Sequence, residues 1–225
     1  MAIESIKVTV DTVALAVHEG QLEIVLIKRK HDPFKNLWAL PGGFVDEQDK
    51  TVEQAAAREL LEETNVGDVY LEQLFTFGDK GRDPRGRVIT VSYLALLLQD
   101  NLELRASSDA AGVAWWPVLD LPKLAFDHQR IVEYAHQRIK YKIEYSAAAF
   151  NLLPEKFTLR DLQSVYEAVL GRSVDNRNFR KRFLKSGVLQ ELDETSQQGS
   201  FRPARLYSFA EKEFEQLPDR PVFSF

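Results

Sequence analysis

Cysteine is absent from the 225 residues. Neither a disulfide framework nor a thiolate metal site is therefore open to this chain. No apolar run approaches the roughly 20 residues a membrane helix needs. The opening MAIESIKVTVDT carries an acid and alternating polar residues where a signal segment would be basic and then apolar. These absences point to a soluble, cytoplasmic protein. Internal repeats and low-complexity tracts are also lacking. An excess of positive charge is missing too: the net charge is −5, which on average disfavours a nucleic-acid partner. The average hides one stretch. From Asn176 to Gln190 the charged residues are Arg177, Arg180, Lys181, Arg182 and Lys185, with no carboxylate among them.

What is present is an ordinary globular balance, 44% hydrophobic and 28% charged, long enough for one large domain or two modest ones. The first half alternates strands with a helix. Lys7–Val17 and Leu22–Lys28 read as a hairpin turning at His18-Glu19-Gly20, Leu40-Pro41-Gly42-Gly43 is a sharp break, and Val69–Phe77 and Val88–Leu98 read as further strands. The second of these is apolar enough to be central. Between Gly43 and the third strand, Thr51–Thr64 reads as a helix whose start is fixed by the capping-box spacing of Thr51 and Gln54. His128–Tyr145 is a long amphipathic helix, with Ile131, Val132, Ala135, Ile139 and Ile143 along one stripe. Pro154 breaks the pattern that follows, which places a domain boundary between Ala147 and Thr158. The limits expected are 1–146 and 155–225.

Two regions carry chemistry. In RELLEET, Glu59, Glu62 and Glu63 are three and four residues apart on one helix, so their carboxylates share a face and repel. A hard divalent cation held by oxygen ligands relieves that repulsion, with Arg58 neutralising part of the cluster from the flank; a solvated acidic face is the plain alternative. In the loop GDKGRDPRGR, Arg82, Arg85 and Arg87 offer guanidinium forks suited to phosphate or carboxylate, or they decorate a solvated hairpin tip. Trp115 and Trp116 are either pocket or core. His128 is either a pocket residue or a neighbour of an Asp127 helix cap.

The back half reads helix, turn, helix, ribbon: Thr158–Leu170, Gly171-Arg172, Asp175–Lys185, then two apolar stretches around Val188-Leu189 and Leu206–Phe209. That is the winged-helix order. Asp175 is a good N-cap. Phe179 and Phe183, four apart, face a core flanked by Leu184, leaving Asn178, Lys181, Arg182 and Lys185 outward with Arg177 at the edge. Such a face reaches phosphates and base edges. Arg202 and Arg205, in the polar hairpin, suit a wing laid on DNA, while a solvated basic face or a protein-contact module is the alternative.

The front half resembles the Nudix hydrolase family, whose box runs G-x5-E-x7-R-E-U-x-E-E-x-G-U. Gly43 opens it here, Arg58-Glu59-Leu60-Leu61-Glu62-Glu63 fills its centre and Val66 closes it. The resemblance implies an α/β/α sandwich with a mixed sheet, and Glu59, Glu62 and Glu63 as ligands for Mg2+. Two departures stand out. The segment from Gly43 to Arg58 is one residue too long, so the box Glu falls near Asp49 or Lys50, and Asn65 replaces the last Gly. Asn tolerates the left-handed conformation Gly usually supplies there. A small misplacement of the metal cluster lowers turnover steeply, so the pocket can outlive efficient hydrolysis.

GDKGRDPRGR followed by VSY resembles ADP-ribose-binding Nudix proteins, which implies ligand contacts from Arg82, Arg85, Arg87, Gly43 and Phe44. Over nearly its whole length, through WALPGGFVD, GRDPRGR, LAFDH and NFRKRF, the chain resembles the Nudix-related transcriptional regulators of NAD metabolism, the NrtR family. The resemblance implies a homodimeric repressor of NAD-biosynthesis genes on a palindromic operator, released by ADP-ribose or a related nucleotide. The alternative is a Mg2+-dependent ADP-ribose pyrophosphatase with an accessory winged helix.

Overall fold

The computed structural model describes residues 6–98, 102–106, 110–196, 203–210 and 223. The chain divides into two compact units, residues 1–16 with 22–136, and residues 17–21 with 137–225. The division falls inside a continuous helix, α2 (His128–Tyr145), ahead of the proline-marked break.

The first unit is built on a seven-stranded mixed sheet in the order β3-β2-β1-β6-β5, with β4 added to β1 and β7 to β2. These strands are β1 (Lys7–His18), β2 (Gln21–Arg29), β3 (Trp38–Ala39), β4 (Gly42–Phe44), β5 (Tyr70–Phe77), β6 (Val88–Leu97) and β7 (Ala110–Pro117). β1 and β6 run parallel, in register from Lys7↔Val88 to Ala16↔Leu97. Their side chains alternate between two buried faces, so both strands are nearly continuous apolar runs. Val10, Ala14, Ala16, Tyr93, Ala95 and Leu97 pack with Ala55, Ala56 and Leu60 of α1 (Val52–Thr64) in two core clusters. The opposite face of β1 and β6 carries Thr9, Asp11, Thr90 and Ser92, all buried, an unusual polar strip in a sheet interior.

α1 starts as its sequence implies: the Thr51 side chain accepts from the Gln54 amide. Only half of the capping box forms, because the Gln54 side chain accepts from Lys50 N–H instead of returning to Thr51. The helix ends on Asn65 at φ 64°, left-handed as expected of the residue replacing the box glycine.

The second unit contains the end of α2, a short 3-10 helix (Ala147–Leu152), α3 (Leu159–Leu170), α4 (Asn176–Ser186) and a ribbon of β8 (Leu189–Thr195) and β9 (Arg205–Phe209). Thr158 and Asp161 form a complete capping box at the start of α3, and Gly171 ends that helix at φ 69°. Asp175 caps α4 by accepting from the Asn178 amide. Phe157 and Tyr207 exchange backbone hydrogen bonds of 3.0 and 2.8 Å, tying the ribbon to the segment before α3. The core is aromatic: Tyr166 meets Phe179 and Phe183 edge-on at 5.4 Å, and its hydroxyl donates to the Ile143 carbonyl. Among the described residues, no helix is long and apolar enough to cross a membrane.

Candidate functional site

The buried polar strip of the first unit forms the floor of a pocket. Thr9 and Asp11 come from β1, Arg29 from the end of β2, and Gly42, Gly43 and Phe44 from β4. Arg82, Asp83 and Arg85 come from the β5–β6 loop, with Phe126 and His128 at the start of α2. Four of the five expected ligand residues therefore meet in one cavity: Arg82, Arg85, Gly43 and Phe44. Arg87 is outside that lining, its Nη1 buried without a hydrogen-bond partner.

The guanidinium groups are already engaged. Arg82, whose side chain is 4% exposed, holds Asp127 with two bonds of 2.7 and 3.0 Å and reaches Asp11 at 3.5 Å. Asp127 thus spends its carboxylate on Arg82 instead of capping α2. Arg85 lies over the rings of Phe44 and Phe126, at 4.9 and 5.4 Å, while Asp83 accepts from its Nε and Nη2. Burial pushes the Asp83 carboxyl up, but the Arg85 hydrogen bonds outweigh it and leave it below its ordinary value. Arg29 donates to the Pro33 and His31 carbonyls. Burial, reinforced by repulsion from Arg85, lowers its pKa. His128 is buried, its Nδ1 accepting from Leu40 N–H at 2.9 Å and its Nε2 facing Asp11 at 3.4 Å. Burial lowers the imidazole pKa, so the ring is neutral. It both lines the pocket and holds β3's exit in place. Trp115 packs at the edge of the α1-side core, whereas Trp116 meets Trp38 edge-on at 5.3 Å.

The box carboxylates behave unequally. Asp49 stands where counting from Gly43 puts the box Glu: it accepts two bonds from Arg58, at 2.8 and 3.0 Å, and the guanidinium holds its pKa at about 2. The extra residue therefore falls between Asp49 and Arg58, and the pairing forms in spite of it. Arg58 also donates to Glu59 at 2.9 Å and to the exposed Glu62 at 3.3 Å. Glu63 turns to β4, where it accepts from Gly42 N–H at 2.8 Å. Burial, with repulsion from Glu59 and Asp11, raises the Glu63 pKa to about 8, and burial raises that of Glu59 against the pull of Arg58.

The expected convergence of Glu59, Glu62 and Glu63 is not what the side chains do. Helical spacing puts their Cα atoms on one face, but Arg58 draws Glu62 aside. Among the described residues, no group of three His, Cys, Asp or Glu is gathered to hold a metal ion. Glu59 and Glu63 keep the hard-oxygen chemistry that Mg2+ prefers, but as placed they do not complete a site.

The second unit presents α4. Phe179 and Phe183 are fully buried, and Arg177, Asn178, Arg180, Lys181, Arg182 and Lys185 are exposed. Leu184, expected to flank the core, is instead 50% exposed. Arg205 of β9 pairs with Glu191 of β8 at 2.6 Å, and Lys156 pairs with Glu194. The described wing strands hold three carboxylates, Glu191, Asp193 and Glu194, against one guanidinium. Arg202 lies outside the described residues.

Sequence reasoning missed Thr9, Asp11, Arg29 and Phe126. For Asp11 a signal exists: a lone carboxylate inside the otherwise apolar run VTVDTVALAV.

A mixed sheet with carboxylates on its loop-helix, followed by a basic helix-turn-helix and ribbon, defines a Nudix domain joined to a winged helix. Family models agree: the NUDIX domain model matches residues 8–135 and the NrtR DNA-binding winged helix domain model matches residues 149–209. The "ADPR responsive transcriptional repressor NtrR" of Acinetobacter baylyi is 41% identical over 210 residues, 92% of this chain and 83% of the relative. The crystal structure of Shewanella oneidensis NrtR complexed with a 27mer DNA superposes with a TM-score of 0.82 at 37% identity, covering 97% of this chain and 99% of that one. The NUDIX domain of the same protein complexed with ADP ribose matches at 41% identity and a TM-score of 0.57, covering 61% of this chain and 90% of that one. The chain belongs to the NrtR family. An "ADP-ribose pyrophosphatase" of Methanocaldococcus jannaschii is 43% identical over 115 residues, 51% of this chain and 66% of that protein.

Proposed function

We propose that this chain is an ADP-ribose-responsive transcriptional repressor of NAD-metabolism genes. Residues 1–146 capture the nucleotide and residues 155–225 bind a palindromic operator as a dimer, in the cytoplasm. The observation that carries the reading is the outward face of α4, where Arg177, Asn178, Lys181, Arg182 and Lys185 stand exposed behind a sealed Phe179–Phe183 core, with no carboxylate in the helix. Cations in that arrangement neutralise phosphates and position a helix in the major groove. The relatives in complex with DNA and with ADP ribose support the assignment of both partners.

In the pocket, Phe44 and Phe126 provide flat faces for a base, and Arg85, backed by Arg29, faces the diphosphate. Arg82 holds the loop that presents them, Gly43 leaves room beside Glu59, and Arg87 reinforces the positive field from outside the lining. Where Mg2+ takes part, Glu59 and Glu63 are the side chains that would hold it, and Glu62 would have to leave Arg58 to join them.

A gel-shift titration of upstream DNA with and without ADP-ribose tests the reading. Tenfold weakening of DNA binding corresponds to about 1.4 kcal/mol of coupling. Unchanged DNA affinity at saturating ADP-ribose refutes the switch. Replacing Lys181 and Lys185 by Ala weakens DNA binding and makes its salt dependence shallower; an unchanged affinity would assign α4 to protein contacts.

The Asp49–Arg58 clamp favours a second reading, ADP-ribose hydrolysis, because the framework of the box is intact despite its extra residue. Release of AMP from ADP-ribose with Mg2+, abolished by Glu63→Gln, supports it; no product leaves the pocket a sensor.

A further inference from the structure

The recognition helix carries one side chain that charge does not explain. Leu184 is 50% exposed, although the neighbouring Phe183 is fully buried and stacks on Phe223 at 4.4 Å. At about 3.6 residues per turn, Arg177, Lys181 and Leu184 fall on one stripe, four and three residues apart, with Arg180 one turn before Leu184. The leucine is therefore set among cations on the outward face. It is not a core residue that has slipped: Phe179 and Phe183 fill the core without it.

The wing narrows the choice of reader. Its described strands are acidic, with Arg205 tied to Glu191, whereas α4 exposes cations and no carboxylate, so among the described residues α4 is the element suited to reading bases. In the major groove the one apolar feature that separates one base from the rest is the C5-methyl of thymine. We propose that Leu184 is a specificity-determining residue, packing on a thymine methyl in each operator half-site while Arg177 and Lys181 hold the backbone. The inference rests on the reading of α4 as the DNA-contacting helix.

The test deletes the methyl alone. The full-length protein is first shown to bind an upstream DNA fragment, then thymines are replaced singly by deoxyuridine. The wild-type protein loses about fourfold in affinity at one thymine per half-site, the factor expected from one methyl's worth of buried apolar surface. Leu184→Ala binds thymine DNA more weakly but no longer distinguishes deoxyuridine at that position. Its salt dependence and melting temperature stay those of the wild type, because neither a charge nor a buried group is removed. Indifference of the wild type to every deoxyuridine overturns the proposal, as does full discrimination retained by Leu184→Ala. A wild-type protein that binds no upstream DNA overturns the repressor reading as well, so the two failures are told apart.

Discussion

Asp127→Ala removes the main partner of a buried guanidinium. Arg82 is 4% exposed and Asp127 17% exposed, at side-chain level, and two bonds of 2.7 and 3.0 Å join them. With Asp127 gone, only Asp11 remains, at 3.5 Å and already facing His128. Removing one partner of a buried pair leaves an uncompensated charge, a loss of about 3–5 kcal/mol. The partial exposure of Asp127 favours the lower end. At roughly 3 °C per kcal/mol, the melting temperature falls by about 10 °C. The backbone carbonyl of residue 127 still accepts from Arg130 and Ile131, so the helix start survives the substitution. Replacing both residues, as Arg82→Met with Asp127→Ala, recovers part of the stability, because the guanidinium is no longer left buried, while Asp11 keeps only the His128 ring beside it. Thermal melts of the three proteins, followed by ADP-ribose titration calorimetry, check the argument. It fails if Asp127→Ala lies within about 1 kcal/mol of wild type, or if the double variant is as unstable as the single. Since Arg82 is already saturated by carboxylates, the double variant should bind ADP-ribose more tightly than Arg85→Ala does; the reverse order would make Arg82 a direct ligand contact.

His128 makes stability pH-dependent. Its folded pKa lies below the ordinary value of about 6.5, so the unfolded chain takes up the proton first as pH falls. Its contribution is therefore complete above about pH 6.5 and lost as pH falls through the folded pKa; His128→Gln, which can still accept from Leu40 N–H, should flatten that part of the melting profile, and an unaltered profile would count against it. Asn65→Ala forces a β-carbon-bearing residue without a local hydrogen bond into φ 64° and deletes a bond to the Glu103 carbonyl, costing about 1–2 kcal/mol in urea unfolding, whereas Asn65→Gly should cost less. A methyl at Gly43 would land on the movable Glu59 carboxylate, and one at Gly42 on the fixed Val10 carbonyl. Gly42→Ala should therefore destabilise more than Gly43→Ala in thermal melts, and equal losses would refute the distinction. Operator DNA should weaken ADP-ribose binding by the same factor by which ADP-ribose weakens DNA binding, and an ADP-ribose affinity that saturating DNA leaves unchanged would refute the coupling.

Long periodic elements were readable because burial enforces their pattern. The unbroken apolar run of β1, buried on both faces, and the stripe of Ile131, Val132, Ala135, Ile139 and Ile143 both follow directly from which side chains meet the core. The strands that escaped are those whose residues carry no such signal. β3 and β4 span two and three residues beside the Pro41 break. β7, AAGVAWWP, is rich in small residues that disfavour strands and exists because it pairs with β2. In the site, local motifs marked Arg82, Arg85, Gly43 and Phe44. Thr9, Asp11 and Arg29 reach the same cavity through sheet pairings that separate them widely in sequence. Phe126 adopts φ 51°, a conformation that nothing in its residue type announces. Spacing also misjudged two outward groups for one reason. Helical phase locates a Cα, whereas Glu62 follows Arg58, and Leu184 stays in solvent because Phe179 and Phe183 have already filled the space beneath α4.

The two basic regions differ in a way that separates their chemistry. In the pocket, Arg82 and Arg85 are bonded to Asp127 and Asp83 before any ligand arrives, and Arg29 is anchored on backbone carbonyls. With Arg82 held in the scaffold, a diphosphate entering there competes with Asp83 for Arg85, whose geometry is already set. The gain per contact is small and the selection by shape is strong. On α4 the cations are exposed and arrayed without carboxylates in the helix, so each phosphate contact made there would release counterions and DNA affinity would fall steeply with salt. The expected outcome is that added salt weakens DNA binding more steeply than ADP-ribose binding, and equal salt slopes for the two ligands would refute the distinction without a single mutation.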